Sequence, residues 1–331
     1  MIQRNLSPQA PSRSVSAILS LCIALFAVSF APIFVRFSET SLGASGTIFN
    51  RMLVFLVGFG IGQALWRSFA RPSAETEAKP PITRKEWVLL TVVGIASATT
   101  LVLWAVALEY TSVAKCMLLN NLTPVFTSLG AWMFFGKRFD NRFLVGMTIA
   151  LVGALGLGLE DLQSAEGNLI GDFYSLLSAV FLGGYFLVAE RLRSRFSATT
   201  ILLWRCTLGA SMLLPIVLLT EGQLFPTTWL SWVGAIGLGL VSEGLGQRLI
   251  VDCMDRLSAG FVSLFLLLEP LVSAMLAWII FAEQLSPITW VGFAVILTGI
   301  YLAKSSSASA TTSAATATAE VPVAAEVEKA V

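Results

Sequence analysis

Residues 112–153 read SVAKCMLLNNLTPVFTSLGAWMFFGKRFDNRFLVGMTIALVG, and residues 258–299 read SAGFVSLFLLLEPLVSAMLAWIIFAEQLSPITWVGFAVILTG. Laid over one another without a gap, they match at Ser112 and Ser258, Pro124 and Pro270, Ala131-Trp132 and Ala277-Trp278, and Phe135 and Phe281. The match continues through Val145-Gly146 and Val291-Gly292, Leu151 and Leu297, and Gly153 and Gly299. Shared Leu or Ala means little in apolar sequence, but Pro, Trp and Gly at a fixed spacing mark an internal repeat. Upstream, with small shifts, Trp87 falls on Trp232, Gly94 on Gly239, Ser20-Leu21 on Ser175-Leu176, Phe26 on Phe181 and Arg51 on Arg205.

Each copy is a series of apolar runs near the length that spans a bilayer, about 20 residues. They cover 17–35, 44–66, 87–108, 113–135 and 143–159, then 169–189, 199–219, 230–251, 261–282 and 290–303. Composition agrees: 56% of residues are hydrophobic and 12% charged, against about 25% charged in an ordinary soluble domain. In hydrocarbon every backbone N–H and C=O must be paired inside the protein, so spans are helices or closed barrels. Runs this long and apolar on all sides are helices, because barrel strands are about half the length and alternate in polarity. The fold read from these features is all-α and integral to the membrane, with about ten transmembrane helices in two five-helix repeats. An odd number of spans per repeat inserts the second copy upside down, giving inverted repeats. The expected organisation is a cytoplasmic N-terminal tail at 1–16, repeats at 17–159 and 169–303, and a disordered cytoplasmic tail at 304–331, where Ala, Ser and Thr dominate.

Charge placement supports the count. With the N-terminus inside, the connections 67–86, 136–142, 191–197 and the one holding Arg256 are also inside, and all carry Lys or Arg. The opposite connections, 37–42, 109–112, 160–168, 220–228 and 283–289, contain neither residue. Both termini are then expected in the cytoplasm, with the chain in the plasma (inner) membrane as a multi-pass protein.

Several function classes drop out. The net charge of +1 favours no nucleic acid. Cys22, Cys116, Cys206 and Cys253 lie far apart and match no metal spacing, and histidine is absent. No phosphate-binding GxxxxGK[ST] loop, GxSxG or HExxH occurs, so no cofactor, metal or catalytic residue is expected.

Polar groups inside the spans carry the functional reading, because an ionisable group at the bilayer centre costs at least about 2.5–3.5 kcal/mol and needs a partner, a water cavity or an exit. Glu269 precedes Pro270, which loosens the helix there; it either binds a cation or proton, or pairs with an arginine. Asn120, Thr123 and Thr127 share one small polar helix face with Cys116 and Gly130, and the repeat partner of that face carries Glu269 and Ser273. Glu243 and Gln247 lie one turn apart and are either a cavity face or interfacial. These seven residues are the candidate substrate site. Arg51 and Arg205, at matched repeat positions, are read as structural or coupling charges that hold the halves together. Lys115 and Glu190 lie near span ends, and Asp172 is expected to cap the sixth helix.

The segments Leu268-Glu269-Pro270-Leu271, Ala277-Trp278, Ala282-Glu283-Gln284-Leu285, Gly292 and Gly299 resemble the EamA-type members of the drug/metabolite transporter superfamily. Leu122-Thr123-Pro124, Gly146 and Gly153 give the matching first-half pattern, and Gly171-Asp172 resembles the opening of the family's second half. The first half departs by placing Gly136-Lys137 where the second has Ala282-Glu283. The resemblance implies ten helices, inverted repeats and transport, often export, of amino acids, related metabolites or drugs. The resulting expectation is a secondary transporter of a small amino acid-like, zwitterionic or weakly polar metabolite, working by alternating access. The alternatives are a non-transporting membrane scaffold and a membrane enzyme. The expected partners are the solute and the lipid bilayer; a coupling proton and the oligomeric state stay open.

Overall fold

The computed structural model describes residues 10–69, 82–111, 113–162, 169–281 and 287–306. The middle of the 67–86 connection, residues 163–168, the Ala282–Leu285 motif and the tail beyond 306 lie outside the described residues.

Among the described residues the chain is built from helices alone. The first half holds α1 (Ala10–Ser29), α2 (Ala31–Ser38), α3 (Ala44–Phe69), α4 (Arg84–Tyr110), α5 (Val113–Asn120), α6 (Thr123–Phe135) and α7 (Asn141–Leu162). The second half holds α8 (Leu169–Arg193), α9 (Ala198–Thr220), α10 (Trp229–Gly237), α11 (Arg248–Cys253), α12 (Ala259–Phe265), α13 (Glu269–Phe281) and α14 (Pro287–Lys304). A π-helical stretch, Leu238–Gln247, joins α10 to α11, and a 3₁₀ turn, Leu266–Leu268, joins α12 to α13.

Six described segments are long and apolar enough to cross a bilayer: Val15–Ser38, Ala44–Gln63, Arg84–Trp104, Leu169–Arg193, Ala198–Thr220 and Ala259–Ile280. Asn141–Gly156 and Thr289–Lys304 are shorter apolar helices. The runs read as continuous from sequence are interrupted at several points, and proline explains three of them. Proline has no N–H, and its ring strikes the carbonyl four residues back. Pro32 lies just after the α1–α2 break, Pro124 just after the α5–α6 break, and Pro270 just after the 3₁₀ turn. The Asn120 carbonyl, four residues before Pro124, instead accepts the Thr123 hydroxyl at 2.7 Å.

Side-chain contacts sort into two sets, one at each end of the bundle. At one end Arg195 pairs with Glu86, Lys137 with Glu190 at 2.5 Å, and Arg193 with Asp252 at 2.9 Å. Ser306 meets Asp140, and Arg256 donates to Ser16 at 2.8 Å at the same end. At the other end the Glu221 carboxylate accepts from the backbone N–H of Gly43 and Gly46 at 2.9 and 3.0 Å, starting α3. Thr40 meets Thr228 at 3.2 Å there, and Thr111 donates to Asp172 at 2.8 Å. Asp172 thus sits in the first turn of α8 and ties it to the end of α4, where sequence reasoning expected only a cap. Among the described residues, the connections holding Lys137, Arg193, Arg195 and Arg256 therefore meet at one end, and those holding Thr40, Thr111 and Thr228 at the other. Contact at both ends also makes α4 and α8 antiparallel neighbours.

The core runs along the boundary between the halves. The neighbours α4 and α8 are matched by the π-helical stretch and α10 packing on α1 and α2, while α3 meets α9 and α7 meets α14. The α7–α14 crossing has almost no gap. A Cβ added at Gly146 would lie 2.5 Å from the Gly299 carbonyl oxygen and 2.6 Å from the Ala303 nitrogen. Outward-facing Val15, Phe134, Phe173, Leu219 and Ile279 form an apolar exterior, as lipid requires.

Gly146→Val should therefore lower the unfolding midpoint in detergent, with a loss of about 1–3 kcal/mol from overpacking against backbone that cannot yield. Gly156→Val, in the same helix but with nothing within 4 Å, should leave it unchanged.

A candidate solute site in the seam between the halves

The π-helical stretch GLG-bearing segment Leu238–Gln247 places Glu243 at the centre of the protein, with none of its side chain exposed. Small residues make this possible. Gly239 backs onto Val54 and the Arg51 carbonyl, and Gly246 onto Val28 of α1, so the stretch lies flush against α1 and α3. π-Bulges widen the helix locally and are frequent at functional sites.

Glu243 is the partner of both intramembrane arginines. Its Oε2 accepts from Nε and Nη2 of Arg51, each at 2.8 Å. Its Oε1 accepts from Nη1 of Arg205 and lies 3.7 Å from the Cys206 sulfur. Arg51 and Arg205 each stand seven residues into their helices, about 10 Å along the axis. They start from opposite ends, Arg51 from the Gly43 end and Arg205 from the Ser197 end, and converge on the carboxylate. Arg205 also donates from Nε to Ser97 Oγ of α4 at 2.5 Å, and its guanidinium lies 5.1 Å from the centre of the Tyr185 ring of α8. One cluster thus joins α3 and α4 of the first half to α8, α9 and the π-helical stretch of the second.

Of the two roles open to Glu243, the structure places it deep and paired rather than at an interface. The Glu269 carboxylate, by contrast, receives no hydrogen bond or ion pair among the described residues. Glu269 is half-buried at the start of α13, and its own carbonyl accepts from Ser29 Oγ at 3.4 Å. Ser273, one turn on, donates to the Ser29 carbonyl at 2.9 Å. The break between α1 and α2 therefore lies against the break before α13. The corresponding first-half contact sets Thr127 against Gly183 of α8, with the Thr127 hydroxyl bonded to the Thr123 carbonyl at 2.8 Å. Asn120 Oδ1 and Gln247 Oε1 are buried acceptors with no partner among the described residues. The candidates thus fall into a cluster at Arg51, Arg205 and Glu243, with Gln247 at the end of the same π-helical stretch, a helix-break group at Glu269 and Ser273, and a second break group at Asn120, Thr123 and Thr127.

Three contributors escaped the sequence reading. Ser97 carried a signal, since it aligns with Ser242 in the repeat. Tyr185 is an aromatic among many and carried none. Arg248, exposed and 6.0 Å from the centre of the Phe59 ring, lies within the eighth apolar run but close enough to its end to snorkel. Glu190 is also more than interfacial. Besides pairing with Lys137, it accepts from the backbone N–H of Ala259 at 3.0 Å and so caps α12. Among the described residues no group of His, Cys, Asp and Glu could hold a metal ion.

Known proteins bear on this arrangement. The sequence model of the EamA-like transporter family matches residues 15–159 and again 169–304. An uncharacterized transporter of Archaeoglobus fulgidus is 25% identical, covering 81% of this chain and 96% of its own length. The pseudopaline exporter CntI of Pseudomonas aeruginosa is 24% identical, covering 85% of this chain and 93% of its own. A chain from a solved crystal structure superposes with a TM-score of 0.71 at 18% identity, covering 87% of this chain and 96% of that one.

Glu243→Gln should destabilise the protein by about 3–5 kcal/mol, because it leaves two arginines without their buried counter-charge. Glu269→Gln should shift the unfolding midpoint little. The two variants can be compared by thermal unfolding in one detergent.

Proposed function

The chain belongs to the EamA-like transporter family and is a membrane transporter, and from that premise we propose that it exports a small organic metabolite by alternating access. The solute is amino acid-like, zwitterionic or weakly polar. The protein acts as a secondary transporter rather than as an enzyme, in the plasma membrane, with both termini in the cytoplasm.

The proposed frame is ten spans in two inverted five-helix repeats, 17–159 and 169–303. The observation that carries the reading is the pair of helix breaks at matched positions, before Pro124 and before Pro270. Interrupted helices at corresponding places in two halves are the usual signature of a transporter's central site, because they free backbone groups where a solute must be held. Pairwise exchange supports the inverted relation. The packing of α4 on α8 has its counterpart in the π-helical stretch on α1, and the Ser273–Ser29 contact in Thr127–Gly183. The Lys- and Arg-bearing end is assigned to the cytoplasm by the positive-inside rule. Asn120, Thr123, Gln247, Glu269 and Ser273 are proposed to face the solute, while Glu243, Arg205 and Thr127 hold the frame around it.

Purified protein in liposomes loaded with a small-molecule cell extract should release a restricted set of solutes faster than empty liposomes do. Release of none would leave a scaffold as the reading. For topology, Thr228→Cys in intact cells should react with an impermeant maleimide, whereas Arg138→Cys should react only after permeabilisation. Labelling of both from one side would remove the two-sided arrangement.

A further inference from the structure

The charged groups of the seam are unequally occupied. Glu243 has spent both oxygens, on Arg51 and Arg205. Arg205 is closed in by Glu243, Ser97 and the Tyr185 ring, with 7% of its side chain exposed. Arg51 is different. Its Nε and Nη2 hold Glu243, its Nη1 has no partner among the described residues, and 20% of its side chain is exposed. Glu269 is its complement, a half-buried carboxylate that receives no donor among the described residues, and it lies near the same stretch of α1: Ser29 meets the Glu269 carbonyl, and Ala27, two residues before, accepts from Ser242 beside Glu243.

The halves contribute these charges asymmetrically. Each supplies one arginine, but both acids come from the second. The repeat partner of Glu243 is Ala98, next to the matched Ser97 and Ser242, and the partner of Glu269 is Thr123. With Glu243 shared between the two arginines, one positive charge is left over, and among the described residues Glu269 is an acid of the seam whose carboxylate is not already paired. Two opposite charges that balance without forming an ion pair each keep the capacity to take a group of opposite sign.

We propose that Arg51 and Glu269 are the two ends of the solute site, Arg51 Nη1 receiving a carboxylate and Glu269 a cationic nitrogen of the same molecule. This rests on the transport reading and moves Arg51 from a purely structural role into contact with the solute. A zwitterion leaves the sum of charges in the seam unchanged, so it enters without leaving a buried charge uncompensated. A polyanion or polycation does not. Arginine suits the double task because its planar fork holds Glu243 along one edge and presents a further N–H at fixed geometry. A lysine offers its three N–H groups from a single nitrogen, without two separate edges at fixed geometry. The guanidinium is thus held in place before the solute arrives, which lowers the ordering cost of binding.

The test uses full-length protein in liposomes loaded with a small-molecule extract of the source cells, with the released solutes identified by mass spectrometry. Wild type is expected to release compounds carrying both a carboxylate and an amine. Arg51→Lys keeps the charge beside Glu243 and is expected to slow that release about tenfold or more. Glu269→Gln is expected to lose the zwitterions and to shift relative release toward carboxylates whose amine is acylated or absent. Should Arg51→Lys fail to fold, as judged by its unfolding midpoint, the selectivity shift in Glu269→Gln decides alone. The assignment is overturned if the released solutes lack either group, or if both folded variants slow every solute by one factor. Release of nothing by wild type removes the transport reading itself and this site with it.

Discussion

A carboxylate with no exposed surface, held between two arginines that reach it from opposite ends of the bundle, is the constraint around which the protein is organised. In a medium without water, no member of such a group can be left alone, because an unpaired buried charge costs several kcal/mol. The requirement fixes geometry well beyond the three residues. α3 and α9 must stand so that Arg51 and Arg205 arrive at one depth, and α4 and α8 must supply Ser97 and the Tyr185 face. The helix carrying Glu243 must press close enough to α1 and α3 that only glycine fits at positions 239 and 246.

On this frame a nearly symmetric scaffold carries an asymmetric charge pattern. The matched elements do matched mechanical work: α7 crosses α14 at Gly146 and Gly299, and both repeats break a helix ahead of a proline. The acids do not follow the symmetry. Ala98 and Thr123 stand where the second half has Glu243 and Glu269. Packing needs only shape, which the two copies share, whereas the proposed recognition of a zwitterion needs opposite signs at different places. Divergence of two residues within a common frame is enough to provide them.

The large features were legible because lipid leaves the sequence little freedom. A run of about 20 apolar residues has few other meanings, and the Pro, Trp and Gly matches between 112–153 and 258–299 betray the repeat. Arg51 and Arg205 were recognisable as a matched pair bridging the halves. Their partner was not. Glu243 and Glu269 are both acids inside apolar runs, and the choice between them turns on the direction each faces. Direction is what the π-helical stretch alters, since each extra residue in a helix rotates everything beyond it by about 100°. Nothing in the residues Leu238–Gln247 announces that insertion, except an excess of glycine that also suits ordinary close packing. The α1–α2 break at Phe30 was missed for a related reason. Pro32 was visible, but a proline inside a span kinks, breaks or is tolerated according to its neighbours, and Pro215 sits inside an unbroken α9.

The polar ties between the halves differ in strength with their depth in the bundle. At the basic end the halves are joined by the partly exposed ion pair of Arg195 with Glu86 and by the more buried pair of Lys137 with Glu190. Pairs in contact with solvent contribute roughly 0–1 kcal/mol, since water replaces either partner when they separate. At the opposite end the ties are hydroxyl and backbone contacts, Thr40 with Thr228 and Glu221 with the start of α3, where water again stands ready to substitute. Only at the centre is there no substitute for a lost partner, and there the Arg51–Glu243–Arg205 link costs about 3–5 kcal/mol to break. On the proposed transport reading, the buried ion cluster holds the two halves together at the seam, and Glu269, whose carboxylate lies outside that cluster, is the charge left available to a passing solute.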